Sequence, residues 1–257
     1  DTSDLTLQFY YDRTDRRDAI LGEIRDTVDF DFQHRFALAG RNDLLWGFGH
    51  RFTRDRILAT AIASLDPDRR GDNLLSAFVQ DEVLVVEDRL RLTFGSKFEH
   101  NDYTGFEVQP NARLLWTPHW RHSAWAAISR AVRTPSRGEH DGRFNIAALP
   151  GPGGLPLLVT VVGDRGFGSE DLRAHELGYR VQPSRTLSLD AATFYNVYDN
   201  LVTARLGAPV LARSPSPHLV LPARVVSGAG GRSYGLELAA NWNPAERCRF
   251  AGKKPLK

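Results

Sequence analysis

The sequence predicts an all-β chain folded as an antiparallel, up-and-down barrel wall. Three observations predict it. Apolar side chains recur with period two in segment after segment. The segments run to about ten to thirteen residues, against the five or six usual in globular sheets. Short and long connections alternate strictly along the chain. Successive strand residues point to opposite faces, so period two gives each segment one apolar and one polar face.

The first strand is expected near residues 4–12. In the second, Val28, Phe30, Phe32, Phe36 and Leu38 alternate with Asp29, Asp31, Gln33 and Arg35. Two more are expected near 43–53 and 73–86. Leu90, Leu92, Phe94 and Phe98 then alternate with Arg91, Thr93, Lys97 and Glu99, and Leu114 and Trp116 lie opposite Asn111 and Arg113. A strand near 123–131 precedes one in which Leu177, Tyr179 and Val181 alternate with Glu176, Arg180 and Gln182. The last two are read near 186–198 and where Tyr234, Leu236, Leu238 and Trp242 alternate with Ser233, Glu237 and Asn241. That is about ten strands.

Short links are expected at 40–42, 87–88, 117–120, 183–184 and 243–244, and mostly longer polar links at 13–26, 54–72, 101–105, 132–171 and 199–232. Tight turns on one rim and long loops on the other are the rhythm of an up-and-down barrel. The Pro- and Gly-rich breakers, such as Asp66-Pro67-Asp68 and Ser214-Pro215-Ser216-Pro217, fall in the long links.

With 42% hydrophobic and 25% charged residues, the chain as a whole is not disordered, and a net charge of +2 offers no field for nucleic acid. One cysteine, Cys248, permits no intrachain disulfide. No apolar run reaches the roughly 18 residues of a membrane helix, but barrel strands need only about 9–11. The chain opens Asp1-Thr2-Ser3-Asp4 and contains no methionine, so it reads as processed or as a fragment. No nucleophile elbow, paired-cysteine motif or phosphate loop appears, so neither an enzyme nor a cofactor is expected. His100, Asn101 and Asp102 have metal-ligand chemistry, but a tight polar loop accounts for them and no metal site is expected. Turn polarity accounts for His119 and His122 in the same way.

Alternation alone leaves open which face is wet. A soluble barrel turns its apolar face inward, whereas a membrane barrel turns it to lipid and lines a lumen with the polar one. Strand length favours the membrane. So do aromatics near strand ends, namely Tyr10, Tyr11, Trp46, Trp116, Trp120, Tyr198 and Trp242. A passive porin-type barrel and a soluble β-sheet binding protein stand as alternatives.

Specific strings go further. Ser76-Ala77-Phe78-Val79-Gln80-Asp81-Glu82, Leu90-Arg91-Leu92-Thr93-Phe94-Gly95, Glu99-His100-Asn101-Asp102-Tyr103-Thr104-Gly105 and Gln109-Pro110-Asn111-Ala112-Arg113-Leu114-Leu115-Trp116 follow one another. Ser129-Arg130-Ala131-Val132-Arg133-Thr134-Pro135-Ser136-Arg137 is the most specific. Ser169-Glu170-Asp171-Leu172, Glu176-Leu177-Gly178-Tyr179, Phe194-Tyr195-Asn196 and Ser233-Tyr234-Gly235-Leu236-Glu237 complete the series. Together they resemble the central barrel of TonB-dependent outer-membrane receptors of the ferric-siderophore and colicin I receptor type, in order from about residue 4 to 244.

The resemblance implies a transmembrane barrel of about 22 strands with a plugged lumen. It implies a place in the Gram-negative outer membrane, in contact with its lipid. It also implies active uptake of a ferric siderophore or similar metal chelate through the TonB energy-transducing complex. Against that pattern, the plug, the segment that contacts TonB and about half the strands are missing, so residues 1–247 are expected to be a partial barrel. Residues 248–257, with Lys253, Lys254 and Lys257, read as a basic tail outside the family, left by truncation or a frame change. Arg91, Lys97, Glu99, Arg113, Glu176, Arg180 and Glu237 are expected to face the lumen. The loop candidates for ligand binding are His100, Asn101, Asp102, Tyr103, Arg137, His140, Arg143, Phe144 and Arg165, since arginine suits an anionic chelate and aromatic rings suit catechols.

Overall fold

The computed structural model describes residues 3–245 and 248–256. Lys257 of the basic tail, and residues 246 and 247 before the tail, lie outside the described residues. Ten long strands form a wall in chain order, each antiparallel to the next. They are β1 (Ser3–Arg16), β2 (Gly22–Leu38), β3 (Asn42–Leu58), β5 (Arg69–Val86), β6 (Leu90–Asn101), β7 (Gly105–His119), β8 (His122–Arg133), β11 (Glu170–Ser184), β12 (Leu187–Leu206) and β14 (His218–Ala245). Hairpins close tightly on the turn rim, where Gly40 takes φ 70° between β2 and β3. β15 (Cys248–Leu256) adds antiparallel to the lower part of β14. The wall is an open arc, with β2 the one described neighbour of β1.

The long-loop rim departs from the expected links. The link at 13–26 contracts to 17–21 because β1 and β2 extend through residues of alternating charge. The 132–171 link is mostly regular, containing a short helix α1 (Arg137–Asp141), β9 (Gly142–Pro150) and β10 (Pro156–Val162). β4 (Ala63–Leu65) and β13 (Val210–Ala212) lie in the flanking links. Apolar alternation could not reveal these extensions, since their outward residues are polar: Asp26, Arg54, Asn73 and Arg173.

The loop strands do not continue the meander. β10 pairs in parallel with the upper half of β14, β9 pairs with β10, and β4 pairs with β9. This subsheet returns to the link beside β5 in three strand spacings, about 14 Å, while the wall from β5 to β14 takes six, about 29 Å. The wall must therefore curl toward the face over which the loops fold, and that face is concave.

Ladder register sorts the side chains. Phe30, Phe48, Val79, Leu177, Leu236 and Leu238 share the convex face, and Phe48, Leu177 and Leu238 are exposed. Phe48 packs against Phe30 and Phe32 at ring separations of 5.8 and 5.3 Å, forming part of a continuous aromatic band. On β3 the band runs from Leu44 to Phe52, about 26 Å of strand and about 20 Å of height at a tilt near 40°. Trp46, Trp116 and Trp242 lie outward near the turn rim, but register turns Tyr10 and Tyr198 to the concave face. There the Tyr10 hydroxyl accepts from Arg51, so neither tyrosine belongs to an outer girdle.

The buried apolar residues, Ile57, Ala63, Leu65, Phe167, Val220, Ala223 and Val225, all lie in the loop layer or the strand ends beneath it. The wall itself has no apolar interior among its described residues. A charge on the convex band should therefore cost roughly 2–4 kcal/mol if lipid covers it. Phe48→Arg is expected to abolish the heat-modifiable assembled form in membranes, whereas Ser76→Arg, opposite Glu99 on the concave face, is expected to be tolerated. Equal assembly of the two variants contradicts this orientation.

Candidate functional site

The concave face is a lattice of ion pairs, most of them between neighbouring strands and one, Lys97–Glu99, within β6. Arg51 reaches Asp29 at 2.6 Å, Arg35 reaches Asp43 at 2.9 Å, Lys97 reaches Glu99 at 2.8 Å and Arg180 reaches Asp190 at 2.6 Å. Arg91 approaches Glu82 at 3.5 Å, and Arg113 lies 5.4 Å above the ring of Trp125. Trp125 in turn lies flat over Gly178, its partner across the ladder, where an added Cβ would collide with the indole. Register places Arg91, Lys97, Glu99, Arg113, Glu176, Arg180 and Glu237 on this one face. Mutual pairing leaves the surface near neutrality, rich in hydrogen-bonding groups and poor in net field.

Above it, three loops are tied together by Asp141, whose side chain is fully enclosed. Its carboxylate accepts from Arg70 on β5 at 2.9 Å and from Arg165 at 3.2 Å, and lies 3.7 Å from Arg137 and 3.0 Å from His140. Arg137 also pairs with Asp55 of β3 and donates to the Pro67 carbonyl. Arg70 pairs with Asp72 at 2.5 Å and covers the ring of Tyr103, whose hydroxyl donates to Asp72 at 2.9 Å. Three carboxylates (Asp55, Asp72, Asp141) thus meet three guanidiniums (Arg70, Arg137, Arg165). Charges taken out of water survive only when matched in this way.

Local sequence sets up the clamp. Ser136 and Glu139 form a capping box that starts α1, placing Arg137 and Asp141 one turn apart and both buried. Glu139 also receives Arg133, at 2.8 Å. That guanidinium, with the Ser136 amide and hydroxyl, lowers the Glu139 carboxyl to about 2. Burial pushes the Asp141 carboxyl up, but hydrogen bonds from His140 and Arg70 outweigh it and the net shift is downward. Burial, followed by the bond to Asp72, raises the Tyr103 phenol.

The nine loop residues singled out by sequence therefore separate. Tyr103, Arg137, His140 and Arg165 come together in the clamp. Asn101 caps the β6–β7 turn by accepting from the Tyr103 and Thr104 amides, both at 2.9 Å. Asp102 binds the Asn73 amide at 2.6 Å, while His100 lies exposed on the convex side. Phe144 faces Ala63 and Val161 within the loop subsheet, and Arg143 beside it is exposed. Sequence reasoning passed over Asp55, Arg70, Asp72 and Asp141. The Ser136-x-x-Glu139 box could have signalled α1, but the Asp55–Arg137 contact spans 82 positions and left no local trace.

The chain matches the family described as "TonB dependent receptor-like, beta-barrel" over residues 1–252. No curated protein matches it. Among solved structures it is similar to the siderophore receptor PirA from Acinetobacter baumannii, with a TM-score of 0.73 and 13% identity over 91% of this chain and 36% of that one. PirA from Pseudomonas aeruginosa gives 0.72 and 15% over 99% and 47%. A mutant ferric enterobactin receptor from Pseudomonas aeruginosa, in complex with enterobactin, gives 0.71 and 17% over 98% and 40%. At these identities the likeness concerns the fold, and the chain spans less than half the length of each.

Removing the hub charge takes one carboxylate partner from Arg70 and Arg137, which keep Asp72 and Asp55, and from the exposed Arg165. Asp141→Asn is expected to lower the local opening free energy of α1 and β9 by about 1–3 kcal/mol, read by amide hydrogen exchange, with the wall unaffected. Unchanged protection contradicts the clamp. Because the folded Glu139 carboxyl lies below its ordinary 4.5, its contribution is complete above about pH 4.5 and disappears as the pH falls toward 2. Exchange at the start of α1 should accelerate over that window, and Glu139→Gln should flatten the profile.

Proposed function

The chain belongs to the TonB-dependent receptor-like β-barrel family, and from that premise we propose that it forms part of an outer-membrane transporter wall that admits a ferric-siderophore-type chelate. Family members are receptors and transporters rather than enzymes. The observation that carries the reading is the inversion of the wall: an exposed aromatic band on the convex side, and paired charges under folded loops on the concave side. A soluble binding barrel has no use for that arrangement, whereas lipid outside and an aqueous, ligand-bearing lumen inside require it.

In this reading the seven concave-face charges line the ligand's path. Arg143 and Arg165, the most exposed cations of the β8–β11 loop, meet an anionic chelate, while Arg137, His140 and Tyr103 hold the loops that present them. Uptake is driven by the TonB energy-transducing complex, and outer-membrane lipid covers the band. The division into a barrel through residue 247 and a basic tail after it is likewise our proposal. The family match runs on to residue 252.

The test is uptake of radiolabelled iron as catecholate and hydroxamate chelates by iron-starved cells carrying or lacking the gene. The expected result is gene-dependent uptake that stops when the proton gradient is collapsed. Gene-dependent uptake indifferent to that gradient would favour a passive pore. Absence of gene-dependent uptake for every ferric chelate would contradict the ligand class.

A further inference from the structure

Just above the convex apolar band, one end of the wall carries positive charge that iron uptake leaves unexplained. On β3 the band ends at Phe52, and the next two outward residues are Arg54 and Arg56. On β5 the outward positions run from Leu75 through Asn73 and Gly71 to Arg69. Arg56 stands directly opposite Arg69 across the ladder, and Arg54 stands opposite Gly71. All three arginines are exposed. Among the described residues no ion pair or side-chain hydrogen bond engages any of them. The acid on the neighbouring strand, Asp26 opposite Arg54, is already taken by the Tyr11 hydroxyl at 2.6 Å and Arg13 at 3.0 Å. Like charges directly opposite in a ladder repel, so this arrangement calls for an anion from outside the chain.

Position and chemistry identify the anion. The arginines lie on the long-loop rim, which faces the exterior in outer-membrane barrels. Arg54 is about 7 Å along the strand from Phe52 and Arg56 about 14 Å, the height of lipid headgroups rather than acyl chains. Guanidinium forks match phosphate oxygens bidentately. Below them Phe52, Leu75 and Val28 are exposed and can receive acyl chains. We propose that Arg54, Arg56 and Arg69 form a docking site for the phosphate groups of an acylated, phosphorylated lipid of the outer leaflet. The site rests on the membrane reading above but is independent of the imported ligand.

The test uses the protein purified from outer membranes in mild detergent and mixed with lipid A carrying both phosphates, with the same lipid lacking them, or with inorganic phosphate. Bound lipid is counted by native mass spectrometry. Wild type should retain the phosphorylated lipid at least about tenfold better than the dephosphorylated one. The Arg54→Gln/Arg56→Gln/Arg69→Gln variant should lose that preference, while Arg205→Gln/Arg213→Gln, made in exposed positions away from the band, should keep it. If the triple variant does not assemble, Arg56→Gln and Arg69→Gln singly are read instead, each expected to weaken the preference. Wild-type preference retained in the assembled variants overturns the inference, as does displacement of the lipid by equimolar inorganic phosphate. Failure to recover wild type from outer membranes would instead overturn the membrane reading, and the inference with it.

Discussion

Every strand of the wall must satisfy its backbone through its neighbours, and among the described residues the wall has no apolar interior in which to bury side chains. The ladders run from β1 to β14 in one continuous strand order, with β2 the one described neighbour of β1. In a soluble sheet the same ladders would be secondary to a packed core, but here the apolar side chains point away from the curl and pack along the band, as Phe48 does on Phe30 and Phe32, without a second layer over them among the described residues. Exposed Leu5, Leu7, Phe9, Phe48, Leu177 and Tyr234 form one surface whose stability depends on what lies outside it. Hydrogen bonding between strands and an apolar solvent outside them are thus a single constraint. At the height of the band, the placement of Arg51, Lys97, Glu176 and Arg180 on the concave face follows from it.

The loop layer obeys the opposite rule. In the proposed orientation water lies above the band, so the segments between β3 and β5 and between β8 and β11 need a core of their own. They build it from a few apolar residues, Ala63, Leu65 and Phe167 among them, and from a matched set of three carboxylates and three guanidiniums around Asp141. Such a cluster adds little net stability compared with an apolar core, but it is unforgiving of rearrangement, since Asp55, Arg137 and Asp141 are buried and losing their partners leaves charge out of water. It therefore fixes which loops meet while leaving Arg143 and part of Arg165 at the surface. Energetically the wall and the clamp are separable: the first answers to lipid, the second to charge pairing.

Much of the fold was legible because period two survives wherever one face is apolar. Phe30, Phe32, Leu92 and Phe94, or Leu177 and Tyr179, disclose strand and face together. The signal fades above the band, where outward positions hold Arg54, Asn73 and Arg173, so the upper halves of β12 and β14 and the whole of β9 and β10 read as loop. Tyr10 and Tyr198 show the limit of using residue type alone, since their parity, not their chemistry, turns them inward. Of the candidate site, parity groups Arg91, Arg113, Arg180 and Glu237 on one face, and their role toward a ligand is our proposal. The clamp was illegible for a different reason. Asp55 and Arg137, or Arg70 and Asp141, are joined by the curl of the sheet and by no sequence pattern.

The central claim is that the convex face meets lipid and the concave face meets water. Nitroxide labels placed one at a time along β6, β11 and β14, at Leu92, Thr93, Glu176, Leu177, Leu236 and Glu237 in membranes, measure this directly through collisions with oxygen and with a water-soluble nickel chelate. The account predicts oxygen-dominated relaxation at Leu92, Leu177 and Leu236, and nickel-dominated relaxation at Thr93, Glu176 and Glu237. Nickel access at both sets, or the reverse phase, would contradict it.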